Sequence, residues 1–225
     1  MNMINVDYFF ESSKSFHPKL TQKKYVWSLI SDLKAYLLTL DLGLIKGNVS
    51  KDAYLINPKL ITVEENVVVE PGAYIEGPCY IGKNSVIRHG AYIRGCVLIG
   101  ENCLIGHATE VKNSILFDRA KAAHFAYIGD SILGNDVNLG AGVKCANYRL
   151  DKKTINVFFE NQVISTNLKK LGAVIGSGAQ IGCNVVTNPA TFIGPGVICY
   201  PNLSLRGMIA RMSIVHSDNN NILNN

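Results

Sequence analysis

The sequence lacks the long apolar runs and leader patterns that direct a chain to a membrane. No stretch of about 18 consecutive apolar residues occurs, so a membrane-spanning helix is not expected. The first residues, MNMINVDYFFESSKS, do not have the basic and then apolar layout of a secretory signal. With 225 residues, of which 48% are hydrophobic, the chain can bury a substantial core. We therefore expect a cytoplasmic protein that does not bind membranes.

Disulfide and zinc spacings are also missing. Six cysteines are present, but none forms a C-x-x-C pair, and several occupy positions that favour a small apolar side chain. We interpret them as reduced core residues rather than as disulfides or zinc ligands. The net charge of +5 comes without a basic stripe or a row of stacking aromatics, so nucleic-acid binding is not expected. The cysteines are Cys79, Cys96, Cys103, Cys145, Cys183 and Cys199.

What the sequence does contain is a repeat of six residues. Aliphatic residues recur at every sixth position, and a second ladder of small or medium residues lies four positions after each of them. The first ladder is Val63, Val69, Ile75, Ile81, Ile87, Ile93, Ile99, Ile105 and Val111. The second is Val67, Ala73, Cys79, Ser85, Ala91, Val97, Cys103 and Thr109. This period fits neither a helix nor an alternating strand; it is typical of a parallel β-helix made of hexapeptide repeats.

Three hexapeptides make one triangular turn of the β-helix, so residues 18 apart should stack at roughly 4.8 Å. The sequence therefore predicts an all-β fold. The repeat returns later in the chain at Leu133, Leu139, Cys145, Ile175, Ile181 and Ile193. Residues 146–174 leave the repeat, and we predict that they form a basic excursion from the coil. Its cations are Arg149, Lys152, Lys153, Lys169 and Lys170.

The two ends of the chain do not follow the repeat. Between Gln22 and Leu40 the apolar residues fall on one helical face, which predicts an amphipathic helix that covers the open first turn of the β-helix. We predict an N-terminal helical extension over residues 1–52, a β-helix over 53–207, and a polar tail over 208–225, whose last stretch, HSDNNNILNN, should be disordered. The apolar face comprises Val26, Leu29, Ile30, Leu33, Leu37 and Leu40.

The repeat shortens around one histidine. The steps from Ala123 to Ile128 and from Ile128 to Leu133 are five residues each, and His124 and Tyr127 lie within this stretch. Local departures from an otherwise consistent pattern are expected at functional sites. A lone histidine is also a common structural residue, so the periodicity by itself leaves both readings of His124 open.

Two cations and two further histidines share the spacing of one turn. Arg94 and Lys112 are 18 residues apart and should stack on one face, where they could hold a phosphate or remain solvated surface charges. His89 and His107 are also 18 apart. With His124 they would supply three zinc ligands. A closely spaced histidine pair is missing, and we do not expect a metal.

Residues 72–207 resemble the acetyltransferase domain of bifunctional glucosamine-1-phosphate acetyltransferase/N-acetylglucosamine-1-phosphate uridyltransferase. They resemble still more closely the same domain of archaeal-type sugar-1-phosphate nucleotidyltransferases. The matching stretches are YIEGPCYIGKNS, IGHATEVKNSIL, HFAYIGDSILGNDVNLGAGVKCANYRLDKKT and LKKLGAVIG. The resemblance implies a left-handed parallel β-helix that forms a homotrimer with active sites between the subunits.

The resemblance also implies roles for individual residues. His124 matches the general base, which takes a proton from the substrate amine as it attacks acetyl-CoA. Ala141 matches a backbone contact to the thioester, where an N–H suits a developing oxyanion. The predicted ligands of the sugar phosphate are Arg94, Lys112, Tyr127, Asn138 and Lys153, with Glu110 nearby. The further predicted acetyl-CoA contacts are Asn147, Tyr148, Cys183 and Pro201.

Some positions depart from the family pattern. Cys183 and Pro201 stand where serine and alanine are typical, and proline cannot donate an N–H to the cofactor. Asn156 stands where archaeal-type relatives often carry lysine. No glycine-rich nucleotide-binding loop precedes the repeats, and the residues ahead of them are too few for a nucleotidyltransferase domain. Uridylyl transfer is therefore not predicted.

These observations predict an acetyl-CoA-dependent N-acetyltransferase that acts on glucosamine-1-phosphate and supplies UDP-N-acetylglucosamine synthesis. Two alternatives stay open at this point. The chain could acetylate another amino-sugar phosphate or a nucleotide-linked sugar, because Arg94 and Lys112 would recognise a phosphate without identifying its sugar. It could also be a catalytically silent trimeric scaffold that partners a separate sugar nucleotidyltransferase.

Overall fold

The protein is a parallel β-helix, as the repeat predicts. The computed structural model describes residues 4–10, 18–216 and 222–224. Its strands form three parallel sheets, which we call the first, second and third faces, and the chain visits them in that order on each turn. The first corner joins the first face to the second, the second corner joins the second to the third, and the third corner leads back to the first.

Strands are numbered in chain order. The first face contains β1 (Asn48–Val49), β4 (Val68–Val69), β7 (Val86–Ile87), β10 (Leu104–His107), β13 (Lys121–His124), β16 (Asn138–Leu139), β21 (Gln180–Ile181), β24 (Ile198–Cys199), β27 (Ser213–Val215) and the antiparallel β28 (Ile222–Asn224). The second contains β2 (Tyr54–Ile56), β5 (Tyr74–Glu76), β8 (Tyr92–Arg94), β11 (Glu110–Lys112), β14 (Tyr127–Gly129), β17 (Lys144–Cys145), β22 (Val186–Thr187) and β25 (Ser204–Leu205). The third contains β3 (Ile61–Val63), β6 (Cys79–Ile81), β9 (Val97–Ile99), β12 (Ser114–Leu116), β15 (Ile132–Leu133), β20 (Ala173–Ile175), β23 (Thr191–Ile193) and β26 (Met208–Ile209).

The two predicted ladders fill the interior of the coil. All nine aliphatic residues from Val63 to Val111 are buried, and so are the eight smaller residues from Val67 to Thr109. Strands 18 residues apart pair in register, as Val68 does with Val86. Four of the six cysteines, all of which are free thiols, are buried, but Cys96 is half-buried and Cys183 is exposed. The interpretation of every cysteine as a core residue was therefore wrong for these two.

One of the two predicted short steps, from Ile128 to Leu133, is present in the structure, but the other lies elsewhere. Ala122, not Ala123, points into the core, so the segment from Ala122 to Ile128 keeps the step of six. The steps of five run from Val111 to Leu116 and from Ile128 to Leu133. Both lie at the second corner, where Asn113 and Asp130 take left-handed backbone conformations, with φ of 45° and 49°. Asn and Asp tolerate this conformation better than other side chains, which permits the tighter corner.

The N-terminal region covers the third face and not the open first turn. It contains α1 (Val6–Phe9), α2 (Pro18–Thr21) and α3 (Ser28–Leu37), and α3 lies over β9 and β12. The helix in the structure is therefore shorter than the predicted one from Gln22 to Leu40, and it packs on the third face instead of the first turn. The predicted apolar residues are buried, apart from a partly exposed Leu40. The reason is a row of apolar side chains on the outside of the third face: Tyr80, Leu98, Ile115, Ile132, Val174, Phe192 and Met208.

The coil is longer than the predicted 53–207. It begins with β1 and continues past residue 207 through β26 and β27. The last stretch of the polar tail was predicted to be disordered, but β28 within it pairs with β27; residues 217–221 lie outside the described residues. The excursion after Cys145 contains an antiparallel hairpin, β18 (Asn156–Phe159) and β19 (Gln162–Ser165), and the coil resumes at β20. In the part of the chain that the structure describes, no helix is both long and apolar enough to span a bilayer.

We predict that the outer apolar row stabilises the fold because the N-terminal region covers it. Ile115 is fully buried beneath α3, so Ile115→Ala should lower the free energy of unfolding by about 2–5 kcal/mol. The matched control is Ile198→Ala, because Ile198 also points outward from a strand but is 43% exposed, and it should cost about 1 kcal/mol or less. Urea unfolding measures both. Equal losses would mean that the N-terminal region does not pack on this face.

Candidate functional site

A polar pocket of about 720 Å³ opens on the second face, where the excursion lies against the coil. Arg94 ends β8 and Lys112 ends β11, and these strands pair so that the two cations occupy equivalent positions on adjacent turns. The pocket therefore has a wall of coil residues and a wall of excursion residues. It is lined by Arg94, Lys112, Tyr127, Asn147, Tyr148, Lys152, Lys169 and Lys170.

Each of the two coil cations is held by a carboxylate. Arg94 Nη1 lies 2.7 Å from Glu110 Oε1, and this hydrogen bond raises the pKa of the Arg94 guanidinium. Lys112 Nζ lies 3.3 Å from Asp130 Oδ2. The two pairs differ in burial, because the Glu110 side chain is 31% exposed and that of Asp130 only 5%. The Lys112 pair is therefore the less screened of the two.

Asp130 is the centre of the hydrogen bonds below the pocket. Its carboxylate accepts from Asn113 Nδ2 at 2.7 Å, from Lys112 Nζ, and from Asn147 Nδ2. The shortened second corner brings Asp130 to this position, since its backbone N–H donates to the Lys112 carbonyl on the turn above. A buried carboxylate needs several donors of this kind to offset its loss of water.

This network leaves the Tyr127 hydroxyl available as a hydrogen-bond donor. A carboxylate only accepts hydrogen bonds, so Asn147 must turn its amide nitrogen toward Asp130. The same nitrogen donates to Tyr127 Oη at 3.2 Å, which leaves the phenolic proton free to donate into the pocket. Burial raises the pKa of Tyr127 and keeps that proton in place. Gly129 provides the room, because a Cβ there would lie 2.5 Å from Tyr127 Oη.

A second group of predicted residues stacks along the first corner. Four of them occupy equivalent positions on successive turns: His124, Ala141, Cys183 and Pro201. Backbone hydrogen bonds link these turns, and they run from Gly142 N to the His124 carbonyl, from Asn184 N to the Ala141 carbonyl and from Asn202 N to the Cys183 carbonyl. No described residue accepts a hydrogen bond from the Ala141 N–H. His89 and His107 continue the row upward, with their rings stacked at 5.5 Å. His124 itself is exposed, and Tyr127 follows it on the other side of the corner.

The structure does not bring all the predicted site residues together. Asn138 lies on the first face, in a separate cavity of about 380 Å³ with Lys121 and Gln180. Lys153 is exposed on the excursion and is not part of the pocket lining, where Lys152 takes its place. His124 and the other first-corner residues do not line the pocket either. One subunit therefore contains two separate parts of the predicted site, and Asn138 belongs to neither.

Asp130 was not among the predicted site residues, although it stands in the matching stretch that begins HFAYIGD. The signal that could have found it is the step of five from Ile128 to Leu133, which has Asp130 at its centre. Lys169 and Lys170 were recognised only as part of a basic segment. Their place in the pocket depends on how the excursion folds back, as the bridge between Tyr148 and Lys170 shows.

Comparison with known proteins shows the family to which this chain belongs. The family model of the GMPPB C-terminal domain matches residues 75–209, a range that contains the whole pocket. The chain belongs to this family. It is 39% identical over 175 residues to the bifunctional sugar-1-phosphate nucleotidylyltransferase/acetyltransferase of Sulfurisphaera tokodaii, covering 78% of this chain and 43% of that protein.

Two further similarities cover less of the sequence or have a lower identity. The bifunctional protein GlmU of Methanococcus maripaludis is 33% identical over 103 residues, covering 46% of this chain and 25% of that protein. The chain thus spans less than half the length of these curated relatives. Among solved structures, the UDP-N-acetylglucosamine acyltransferase of Francisella novicida matches at 15% identity with a TM-score of 0.35, covering 78% of this chain and 67% of that one.

We predict that the Asp130 carboxylate stabilises the fold more than a surface carboxylate in the same backbone conformation. Asp130→Asn places an amide among three donors and should lower the free energy of unfolding by about 1–3 kcal/mol. Asp136→Asn is the control, since Asp136 also has a positive φ and pairs with Arg119 at 2.7 Å, but with its side chain 54% exposed. Its loss should be roughly 0–1 kcal/mol. Indistinguishable urea-unfolding curves would contradict the role given to Asp130.

Proposed function

We propose that the protein is an acetyl-CoA-dependent N-acetyltransferase for an amino-sugar phosphate, with glucosamine-1-phosphate as the leading substrate and UDP-N-acetylglucosamine synthesis as its use. The observation that carries this proposal is the pocket wall of Arg94 and Lys112, with the Tyr127 hydroxyl directed into it. Two cations and a hydroxyl donor suit a sugar phosphate. A relative that is 39% identical is named as a nucleotidylyltransferase/acetyltransferase acting on sugar-1-phosphates, which supports the same chemistry.

In the proposed reaction His124 is the general base. Its imidazole takes a proton from the substrate amine as the nitrogen bonds to the thioester carbon. The Ala141 N–H, which has no acceptor among the described residues, suits the oxyanion that develops on the carbonyl oxygen. The carbon–sulfur bond then breaks, and the departing CoA thiolate receives the proton from the imidazolium. The products are the N-acetylated sugar phosphate and free CoA.

Acetyl-CoA is proposed to lie along the first corner. Ala141, Cys183 and Pro201 are stacked there below His124, and this row would run parallel to an extended cofactor. The carbonyl of Cys183 already accepts from Asn202 N at 2.9 Å, which leaves it one lone pair, whereas the Pro201 carbonyl has no donor among the described residues. Pro201 has no N–H to offer the cofactor. Asn147 and Tyr148 complete the proposed contacts. A reducing compartment, the cytoplasm, agrees with the six free thiols.

The first test is release of free CoA from acetyl-CoA in the presence of glucosamine-1-phosphate. We expect thiol release that requires the sugar and falls about 10²–10⁴-fold in His124→Ala, the range of a lost general base. His89→Ala is the matched control, because His89 occupies the same corner and bonds to the Pro71 carbonyl at 2.8 Å without a proposed role in the reaction. It should keep full activity. Absence of turnover with this and related amino-sugar phosphates would refute the proposal.

The proposed enzyme works as a homotrimer with sites between subunits. The separation of Asn138 from the pocket supports this, because a neighbouring subunit could supply Asn138 to a pocket whose own chain keeps it on another face. Sedimentation should then give three times the chain mass of 24.6 kDa.

Mixing inactive variants tests this arrangement. Arg94→Ala and Asn138→Ala should each be inactive alone, and refolding them together should restore part of the activity, because some sites then combine an intact residue from each chain. Arg94→Ala mixed with Lys112→Ala is the control, since both cations lie on one wall of one subunit and no recovery is expected. Failure of the first mixture to recover would place Asn138 and Arg94 in the same subunit or outside the site.

A further inference from the structure

We infer that the pocket has a second phosphate-binding subsite, formed by Lys152, Lys169 and Lys170, so that a diphosphate can bind across both subsites. This inference rests on the proposed function in one respect: Arg94 and Lys112 are taken as the subsite for the first phosphate. The three lysines come from the excursion and face the same pocket from its other wall.

The charges in the pocket are unbalanced. Arg94 and Lys112 have carboxylate partners at 2.7 and 3.3 Å. Across the described ranges, no carboxylate lies within ion-pair distance of Lys152, Lys169 or Lys170. Neighbouring cations without counter-charges repel one another, and a bound anion relieves that repulsion. A single phosphate on Arg94 and Lys112 would leave this second group unneutralised.

The segments that carry the three lysines contact each other and the residues of the pocket. Lys169 Nζ donates to the Lys152 carbonyl at 3.3 Å, which joins the two ends of the excursion. Lys170 bridges to Tyr148 through the backbone, and its Nζ lies 5.8 Å from the centre of the Tyr148 ring. The next residue, Leu171, donates its N–H to the Asn147 carbonyl at 2.9 Å and is fully buried. The lysines therefore start from backbone positions that are fixed relative to Asn147 and Tyr148.

The size of the pocket agrees with a ligand larger than a sugar monophosphate. Its volume of about 720 Å³ lies in the upper part of the roughly 300–1,000 Å³ range of small-molecule and cofactor sites. Tyr148 is 43% exposed and offers an aromatic face beside the lysines. Two sources of a diphosphate are compatible with this chemistry: a nucleotide-linked amino sugar as the acetyl acceptor, or the diphosphate of acetyl-CoA itself.

Calorimetric titration with inorganic pyrophosphate and inorganic phosphate tests the subsite without requiring turnover. The wild-type protein should bind pyrophosphate at least about tenfold more tightly than phosphate, given the strength of charge-assisted hydrogen bonds. Lys169→Ala/Lys170→Ala should abolish this preference while phosphate affinity changes little. Lys51→Ala/Lys59→Ala removes the same charge from exposed positions on the first turn and should keep the preference. Equal binding of the two anions by the wild type, or equal losses in both double variants, would overturn the inference.

Competition identifies the source of the diphosphate. Displacement of pyrophosphate by uridine diphosphate but not by CoA would support a nucleotide-linked acceptor, and the reverse result would support the cofactor. Displacement by neither would overturn the inference, because the subsite would then fit no diphosphate ligand of this reaction. Pyrophosphate selectivity without thiol release would refute the acetyl transfer alone. Thiol release without pyrophosphate selectivity would refute only the second subsite.

Discussion

The fold depends on the stacking of equivalent residues on successive turns. Each turn satisfies its backbone polar groups by bonding to the turns above and below, and its inward aliphatic side chain packs on those of its neighbours. A position is therefore repeated about every 18 residues along the chain, and so is its environment. The same constraint that builds the core places Arg94 next to Lys112 and His107 next to His124. The strand register that aligns the core residues therefore also aligns the polar residues of the candidate site.

The shortened second corner is where the structure departs from this regularity to position polar groups. Two turns contain 17 residues instead of 18, as the pairing of Glu110 with Tyr127 and of Tyr127 with Lys144 shows. Their strands still pair with those of the neighbouring turns, and their aliphatic side chains still point into the core. These turns are one residue shorter at the second corner, which contains Asn113 and Asp130. The result is a buried carboxylate directly below two of the pocket residues, Lys112 and Asn147.

The sequence predicted the inside of the coil far better than the outside. Inward positions show a single period, because every turn must present a side chain of similar size to the same axis. The outer row on the third face was missed although it includes Leu98, Ile115 and Ile132. Its spacing is visible only once the strand limits are known, and it determines where the N-terminal region packs. One of the two short steps was misplaced for a similar reason, since Ala122 and Ala123 are indistinguishable without the structure.

The two carboxylates of the pocket differ in a way that suits ligand binding. Asp130 is enclosed by three donors, so Lys112 keeps its orientation whether or not an anion is present. Glu110 is partly exposed and makes its ion pair with Arg94 from the solvent side, where the pair is worth little in water. In the proposed function, the substrate phosphate therefore displaces Glu110 from Arg94 at low cost. Lys112 thus keeps its carboxylate partner when the ligand binds, whereas Arg94 exchanges its partner for the ligand. Without a ligand both cations are paired with a carboxylate, so the pocket contains no unpaired buried charge.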